Sequence, residues 1–149
     1  MEGIIIREMC REDLPQVQAI ENQCFTTPWN ITSFKYELRN KDAILEVTVY
    51  SEQIVGYICM RTMLGVTYIF NLAVLPRFRR IGIGSALLSE ALRELKGRDP
   101  VAELITLEVR ESNTAAIRLY DKFGFKLSGK RTGYYQKPRE DAVIMGLKL

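Results

Sequence analysis

Apolar and polar positions alternate along this chain with two periods, and the switches between them outline the fold. Residues 3–8 (GIIIRE) read as a short strand. An acid ahead of a proline, Asp13-Leu14-Pro15, predicts a helix start, and that helix runs to about Cys24, where Thr26, Thr27 and Pro28 break it. A second short helix is expected from Thr32 to Asn40, with Phe34 and Leu38 on one face. The β-branched and aromatic runs at 43–50 (AILEVTVY) and 53–62 (QIVGYICMRT), separated by Ser51-Glu52, predict a hairpin. Next comes VTYIFNLAV at 66–74, apolar on both faces, as befits a central strand covered on each side.

From residue 82 to 96 the period returns to that of a helix, with Ile83, Ala86, Leu87, Ala91, Leu92 and Leu95 on one side, and Gly97 to Pro100 reads as a break. ELITLEVR at 103–110 predicts another buried strand. Ser112-Asn113 caps a helix from about Thr114 to Phe123, Gly124 ends it, and two last strands are expected near 125–130 and 141–149. The order β-α-α-β-β-β-α-β-α-β-β predicts an α/β sandwich, a mixed central sheet with helices on both faces. Its 149 residues suit a single domain spanning 1–149, with no repeat or linker.

Composition removes several kinds of chemistry. The chain has no histidine, so Ser-His-Asp and Cys-His catalysis cannot be built from it, and any acid or base must be a carboxylate, tyrosine, lysine, cysteine or terminus. Cys10, Cys24 and Cys59 are odd in number and far apart, which argues against a disulfide framework and against a zinc site, and no metal is expected. A net charge of +3 favours anionic ligands only mildly, so no nucleic-acid partner is expected. The apolar runs are too short for a membrane span, and MEGIIIREM does not read as a secretory signal, which makes the cytoplasm the expected location.

The most specific stretch is LAVLPRFRRIGIGSALL at 72–88: an apolar strand, an arginine-rich turn, then Gly82 and Gly84 opening a helix. Such a turn offers free backbone N–H groups, the positive end of a helix dipole and flanking cations to a single anion, and reads as a diphosphate cradle. Glycine at 82 and 84 permits close approach and the dihedrals of the turn. Glycine-rich turns also close strand-to-helix connections that bind nothing. The P-loop pattern is absent, and a dinucleotide fingerprint fails because Leu87 stands where its third glycine would be.

RRIGIG at 79–84, placed after a central strand, resembles the Arg/Gln-x-x-Gly-x-Gly/Ala signature of the GNAT superfamily of acyl-CoA-dependent N-acetyltransferases. PW at 28–29, FNLAV at 70–74, LEVRESNTAAIRLYDKFGF at 107–125 and GYYQKPREDAVIM at 133–145 are similar to the ribosomal-protein-alanine branch of that superfamily and to archaeal N-terminal acetyltransferases. The resemblance implies that the strand ending FNLAV splays from the parallel strand LITLEVR and admits the pantetheine arm of acetyl-CoA. On this basis Leu72, Ala73 and Val74 line the arm, with main-chain pairing at Leu72 and Val74. Arg80, Ile81, Gly82, Ile83, Gly84 and Ser85 hold the pyrophosphate through backbone N–H groups, Arg79 and Arg80 add charge, and Asn113 touches the coenzyme. It implies as partners acetyl-CoA and a protein or peptide N-terminus, a ribosomal protein among the acceptors, for a monomer or weak dimer.

Glu108 stands in an otherwise apolar strand, where an unpartnered charge costs several kcal/mol. By alternation it shares a face with Leu104, Thr106 and Arg110, so a structural ion pair with an arginine is one explanation. The other is a general base whose proton affinity rises on partial burial, since thioester aminolysis needs a neutral amine while an α-amine with a pKa near 8 is mostly charged at pH 7. The resemblance assigns Glu108 that second role. Tyr120, seven positions after Asn113, shares its helix face. Such a tyrosine is commonly core, and the resemblance makes its phenol the acid that protonates the departing thiolate. Direct transfer through a tetrahedral intermediate follows, with the Val74 N–H as oxyanion donor.

On the acceptor side Trp29, with Phe25 and Pro28, and the pair Tyr134-Tyr135, in a loop between the last strands, resemble the walls of the peptide pocket; core packing is the alternative for each. Glu140 and Asp141 either bind the amine or cap the last strand. Besides an N-terminal acetyltransferase, the sequence leaves open an enzyme of broader amine range, lysine included, and a non-catalytic acyl-CoA-binding module.

Overall fold

The computed structural model describes residues 3–149. A seven-stranded sheet runs in the order β1-β2-β3-β4-β5-β7-β6. The strands are β1 (Ile4–Glu8), β2 (Ala43–Tyr50), β3 (Gln53–Met63), β4 (Val66–Val74), β5 (Leu104–Arg110), β6 (Lys126–Gln136) and β7 (Arg139–Lys148). Four helices, α1 (Leu14–Cys24), α2 (Ile31–Leu38), α3 (Ile83–Arg98) and α4 (Thr114–Lys122), fall into the predicted chain order. Among the described residues only β4 and β5 pair in parallel.

Each face of the sheet is covered, which explains the continuous apolarity of the central strands. On one face α1 and α2 bring Leu14, Val17, Ile20 and Phe34 against Val47, Tyr57 and Ala73. On the other, α3 and α4 bring Leu87, Leu88, Ala91 and Tyr120 against Val55, Ile58, Ile69 and Ile105. Each fully buried Val, Leu, Ile or Phe side chain among these contributes roughly 1.5–3 kcal/mol.

Several boundaries moved for identifiable reasons. Asp13 does not cap α1. Its own backbone is already helical, and its carboxylate closes the preceding turn by accepting from the Cys10 N–H at 2.8 Å and from Arg7 in a two-pronged pair. The Ser51-Glu52 hairpin forms with both residues at positive φ, 49° and 64°, as a tight two-residue turn requires. Gly97 does not stop α3, which continues to Arg98 ahead of Pro100. β6 runs on to Gln136 through an irregularity between Arg131 and Tyr135, so Tyr134 and Tyr135 lie in a strand and not in a loop. Gly133 makes this possible with φ +62° and an N–H held by Asp141 at 2.7 Å.

Candidate active site

β4 and β5 are zipped together along one half only. Their pairing runs from Val66 opposite Leu104 to Ile69 opposite Leu107 and then ends. Beyond that point β4 stays attached to β3, and β5 stays attached to β7 through Arg110. The divergence starts at a β-bulge. Cys59 of β3 faces Asn71 and Met60 faces Ile69, which leaves Phe70 as an extra residue in β4. Bulges bend a strand and increase its local twist, and this one sits where the parallel pairing stops. Leu75 donates its N–H to Val55 on β3 at 2.9 Å. By alternation the main-chain groups of Leu72 and Val74 point the other way, into the gap.

Past the end of β4 the RRIGIG turn presents a run of free donors. From Arg80 to Ser85 no backbone N–H has an acceptor among the described residues. Arg80 and Gly82 both adopt positive φ, 64° and 92°, and Gly82 is the N-cap of α3. Left-handed residues placed this way are found in turns whose successive N–H groups form an anion-binding concavity. Only Gly82 needs glycine for its dihedrals, and a Cβ at Gly84 would make ordinary contact with Leu119 at 3.4 Å. Arg79 is aimed elsewhere: its Nε donates to the Val74 carbonyl at 2.9 Å, and its guanidinium approaches Cys24 Sγ at 3.4 Å. Asn113 caps α4, its Oδ1 accepting from the Ala116 N–H at 3.2 Å. The parted edge and the donor-lined turn therefore fit a coenzyme with an extended amide-bearing arm and a diphosphate.

Glu108 is the first residue of β5 beyond the zipped half, on the face opposite Ile105, Leu107 and Val109. Its side chain is 30% exposed, so the strand is less closed on this face than the sequence suggested. Arg131 Nε stands 3.3 Å from Glu108 Oε2 without hydrogen-bonding geometry, and that buried oxygen accepts no hydrogen bond among the described residues. The arginine partner is thus Arg131, largely exposed, and not Arg110. Tyr120 is buried under α4 beside Phe125, with ring centroids 5.4 Å apart, and its hydroxyl donates to no group among the described residues. Burial, reinforced by Tyr135, holds the Tyr120 phenol above the ordinary tyrosine range. Tyr135 is itself pushed up to about 12, by burial first and then by Tyr134 and Glu108. Tyr135 thus lies within electrostatic reach of both Tyr120 and Glu108.

The acceptor-side residues resolve differently. Trp29 packs on Phe34 and Phe70, with centroids 5.3 and 5.5 Å apart, and forms a half-buried wall continuous with the core. Tyr134 is exposed and meets Tyr135 edge-on at 5.1 Å. Glu140 and Asp141 are both engaged structurally. Glu140 accepts from the Ser112 N–H at 2.6 Å and from Arg110 at 3.2 Å, and these contacts, Ser112 first, draw its carboxyl below the usual range. Asp141 holds Gly133 and Lys130.

Two further residues shape the site and were not singled out from sequence. Glu21, 2% exposed, accepts from the Trp29 N–H at 2.9 Å, from Asn71 Nδ2 at 3.1 Å and from the Tyr57 hydroxyl. It thereby ties α1, the connection to α2 and β4 together. The available signal was its position seven residues after Leu14 on the apolar face of α1, where a charge is out of place. Arg110 donates to four oxygens from three segments, which no local pattern reveals.

Comparison with known proteins agrees with this geometry. The acetyltransferase (GNAT) family profile matches residues 14–125. A relative from Haemophilus influenzae, the ribosomal protein bS18-alanine N-acetyltransferase, is 34% identical over 148 residues, covering 97% of this chain and 99% of its own. The crystal structure of the ribosomal-protein-S18-alanine N-acetyltransferase from Escherichia coli superposes with TM-score 0.87 at 32% identity, covering 97% of this chain and 93% of that one. Arabidopsis thaliana NAA60, solved in complex with acetyl-CoA, shares the fold with TM-score 0.89 at 22% identity, covering 98% of each chain. The chain belongs to the GNAT acetyltransferase family and is an acetyl-CoA-dependent N-acetyltransferase.

Proposed function

We propose that the protein transfers the acetyl group of acetyl-CoA to the N-terminal α-amine of a protein, the alanine of ribosomal protein bS18 being the acceptor that its relatives' names suggest. The observation that carries this reading is the parting of β4 from β5 directly beside Glu108, whose Oε2 accepts no hydrogen bond. Acetyl-CoA supplies an acetyl thioester, and the chain's own groups do the rest. The main-chain groups of Leu72 and Val74 and the N–H groups from Arg80 to Ser85 hold the coenzyme, with Asn113 at its flank. Glu108 removes the proton that keeps the amine unreactive. The Val74 N–H stabilises developing negative charge on the carbonyl oxygen. Tyr120, kept protonated by burial, donates its phenolic proton to the leaving sulfur. Trp29, Tyr134 and Tyr135 form the walls that receive the acceptor, and the protein works in the cytoplasm as a monomer or weak dimer.

The test is incubation with acetyl-CoA and peptides that begin Ala-Arg or Met-Glu or carry an internal lysine, followed by thiol release and acetylated mass. Acetylation of the Ala-Arg peptide at its α-amine is expected. Exclusive modification of the internal lysine would move the acceptor class, and no turnover despite stabilisation by CoA would leave only a binding module.

A further inference from the structure

Arg110 ends β5 on the same face as Glu108, about 7 Å further along the strand. Its guanidinium donates to the Lys137 carbonyl at 3.0 Å and the Pro138 carbonyl at 2.9 Å, both in the turn between β6 and β7. The same group donates to Thr26 Oγ1, in the connection between α1 and α2, at 3.1 Å. It also pairs with Glu140 at 3.2 Å, and Glu140 in turn holds the Ser112 N–H ahead of α4. The guanidinium carbon lies 4.3 Å from the ring centre of Tyr135. With its side chain 22% exposed, Arg110 works in a partly desolvated setting, where charge-assisted bonds are strongest.

The segments that it joins are those that wall the acceptor space. One carries Thr26 and Trp29, the other Tyr134 and Tyr135. We propose that Arg110 is a positioning residue for the acceptor: a single cation sets the separation of the two walls and the tilt of Tyr135, and so determines which peptide N-termini reach Glu108. The inference rests on the acceptor reading given above. Lysine cannot replace it, because a compact ammonium with three donors cannot serve four oxygens in three directions and stack on a ring as well.

Arg110→Met is expected to raise the KM for an Ala-Arg peptide at least tenfold while the acetyl-CoA KM and kcat change less than threefold. Arg110→Lys should recover only part of that loss. Thr26→Val, which cuts one wall's tether, should raise the peptide KM two- to threefold, and it keeps the proposal open to refutation if the Arg110 variants fail to fold. Amide exchange provides the second readout, in which Arg110→Met loosens residues 25–30 and 134–140 together and Thr26→Val loosens only the first. A peptide KM unchanged in Arg110→Met, a loss confined to kcat, or exchange that rises in neither segment would overturn the role. If the unaltered protein acetylates no peptide, the acceptor reading fails instead, and the exchange data still decide whether Arg110 couples the two walls.

Discussion

The two halves of the β4–β5 pair differ in what their main chains bind. From Val66 to Ile69 every β4 residue has a partner on β5, and the strands serve only to build the sheet. From Asn71 to Val74 the same strand has one edge on β3 and the other unpaired by β5, with the Val74 carbonyl taken by Arg79 and Glu108 standing across the gap. Both halves are apolar and β-rich in sequence. The structural difference between them is a single unpaired residue, Phe70, which turns β4 away from its parallel neighbour. A family that must receive an extended cofactor can obtain a strand-like slot from an ordinary sheet in this way, by withholding pairing where the ligand supplies it.

If the halves divide labour as described, substitutions in each will have separable effects. Glu108→Gln, on the open side, is expected to lower kcat by about 100- to 1,000-fold, with acetyl-CoA affinity unchanged, and Tyr120→Phe to lower it by a smaller factor of about 30. Steady-state rates together with CoA titration calorimetry check both, and an undiminished Glu108→Gln rate at neutral pH would remove this carboxylate from the mechanism. In the zipped half, Ile105, fully buried, should behave in the opposite way: Ile105→Ala costs about 3 kcal/mol of stability and leaves the KM values of the folded fraction alone. Gly82→Ala strains a left-handed residue beside the free N–H groups and should raise the acetyl-CoA KM about tenfold while leaving the peptide KM alone.

The smallest effect is on pH dependence, away from the site. Burial, followed by repulsion from Glu90 and Glu94, pushes the Glu46 carboxyl up to about 7, and its Oε1 is buried without a partner among the described residues. Its folded value lies above its unfolded one, so its proton stabilises the fold at low pH, and that contribution fades as pH rises from about 4.5 through 7. Glu46→Gln should match the parent at pH 4 and exceed it at pH 8 in urea unfolding. Parallel stability curves would refute this assignment.

Most of the sheet and all four helices were legible in the sequence, because two-residue and 3.6-residue periods survive burial on both faces. Glu108 was legible as a charge in an apolar strand, and the RRIGIG turn as glycines at a strand-to-helix junction. The bulge at Phe70 was not, since a register shift depends on the partner strand and changes no local pattern. The extension of β6 past Lys130 was illegible for a related reason: its continuation depends on Asp141, on the neighbouring strand. Arg110 was visible only as a neighbour of Glu108 on one face, because its partners lie 84 residues upstream at Thr26 and 27 downstream at Lys137.

Amide NMR with and without CoA tests the parted-strand claim most directly. The N–H signals of Leu72 and Val74, together with those from Arg80 to Ser85, should shift and become protected from exchange on CoA addition, while those of Val66 to Ile69 stay as they were. Signals from Leu72 and Val74 that are already protected without CoA, or that ignore it while other regions respond, would contradict the account.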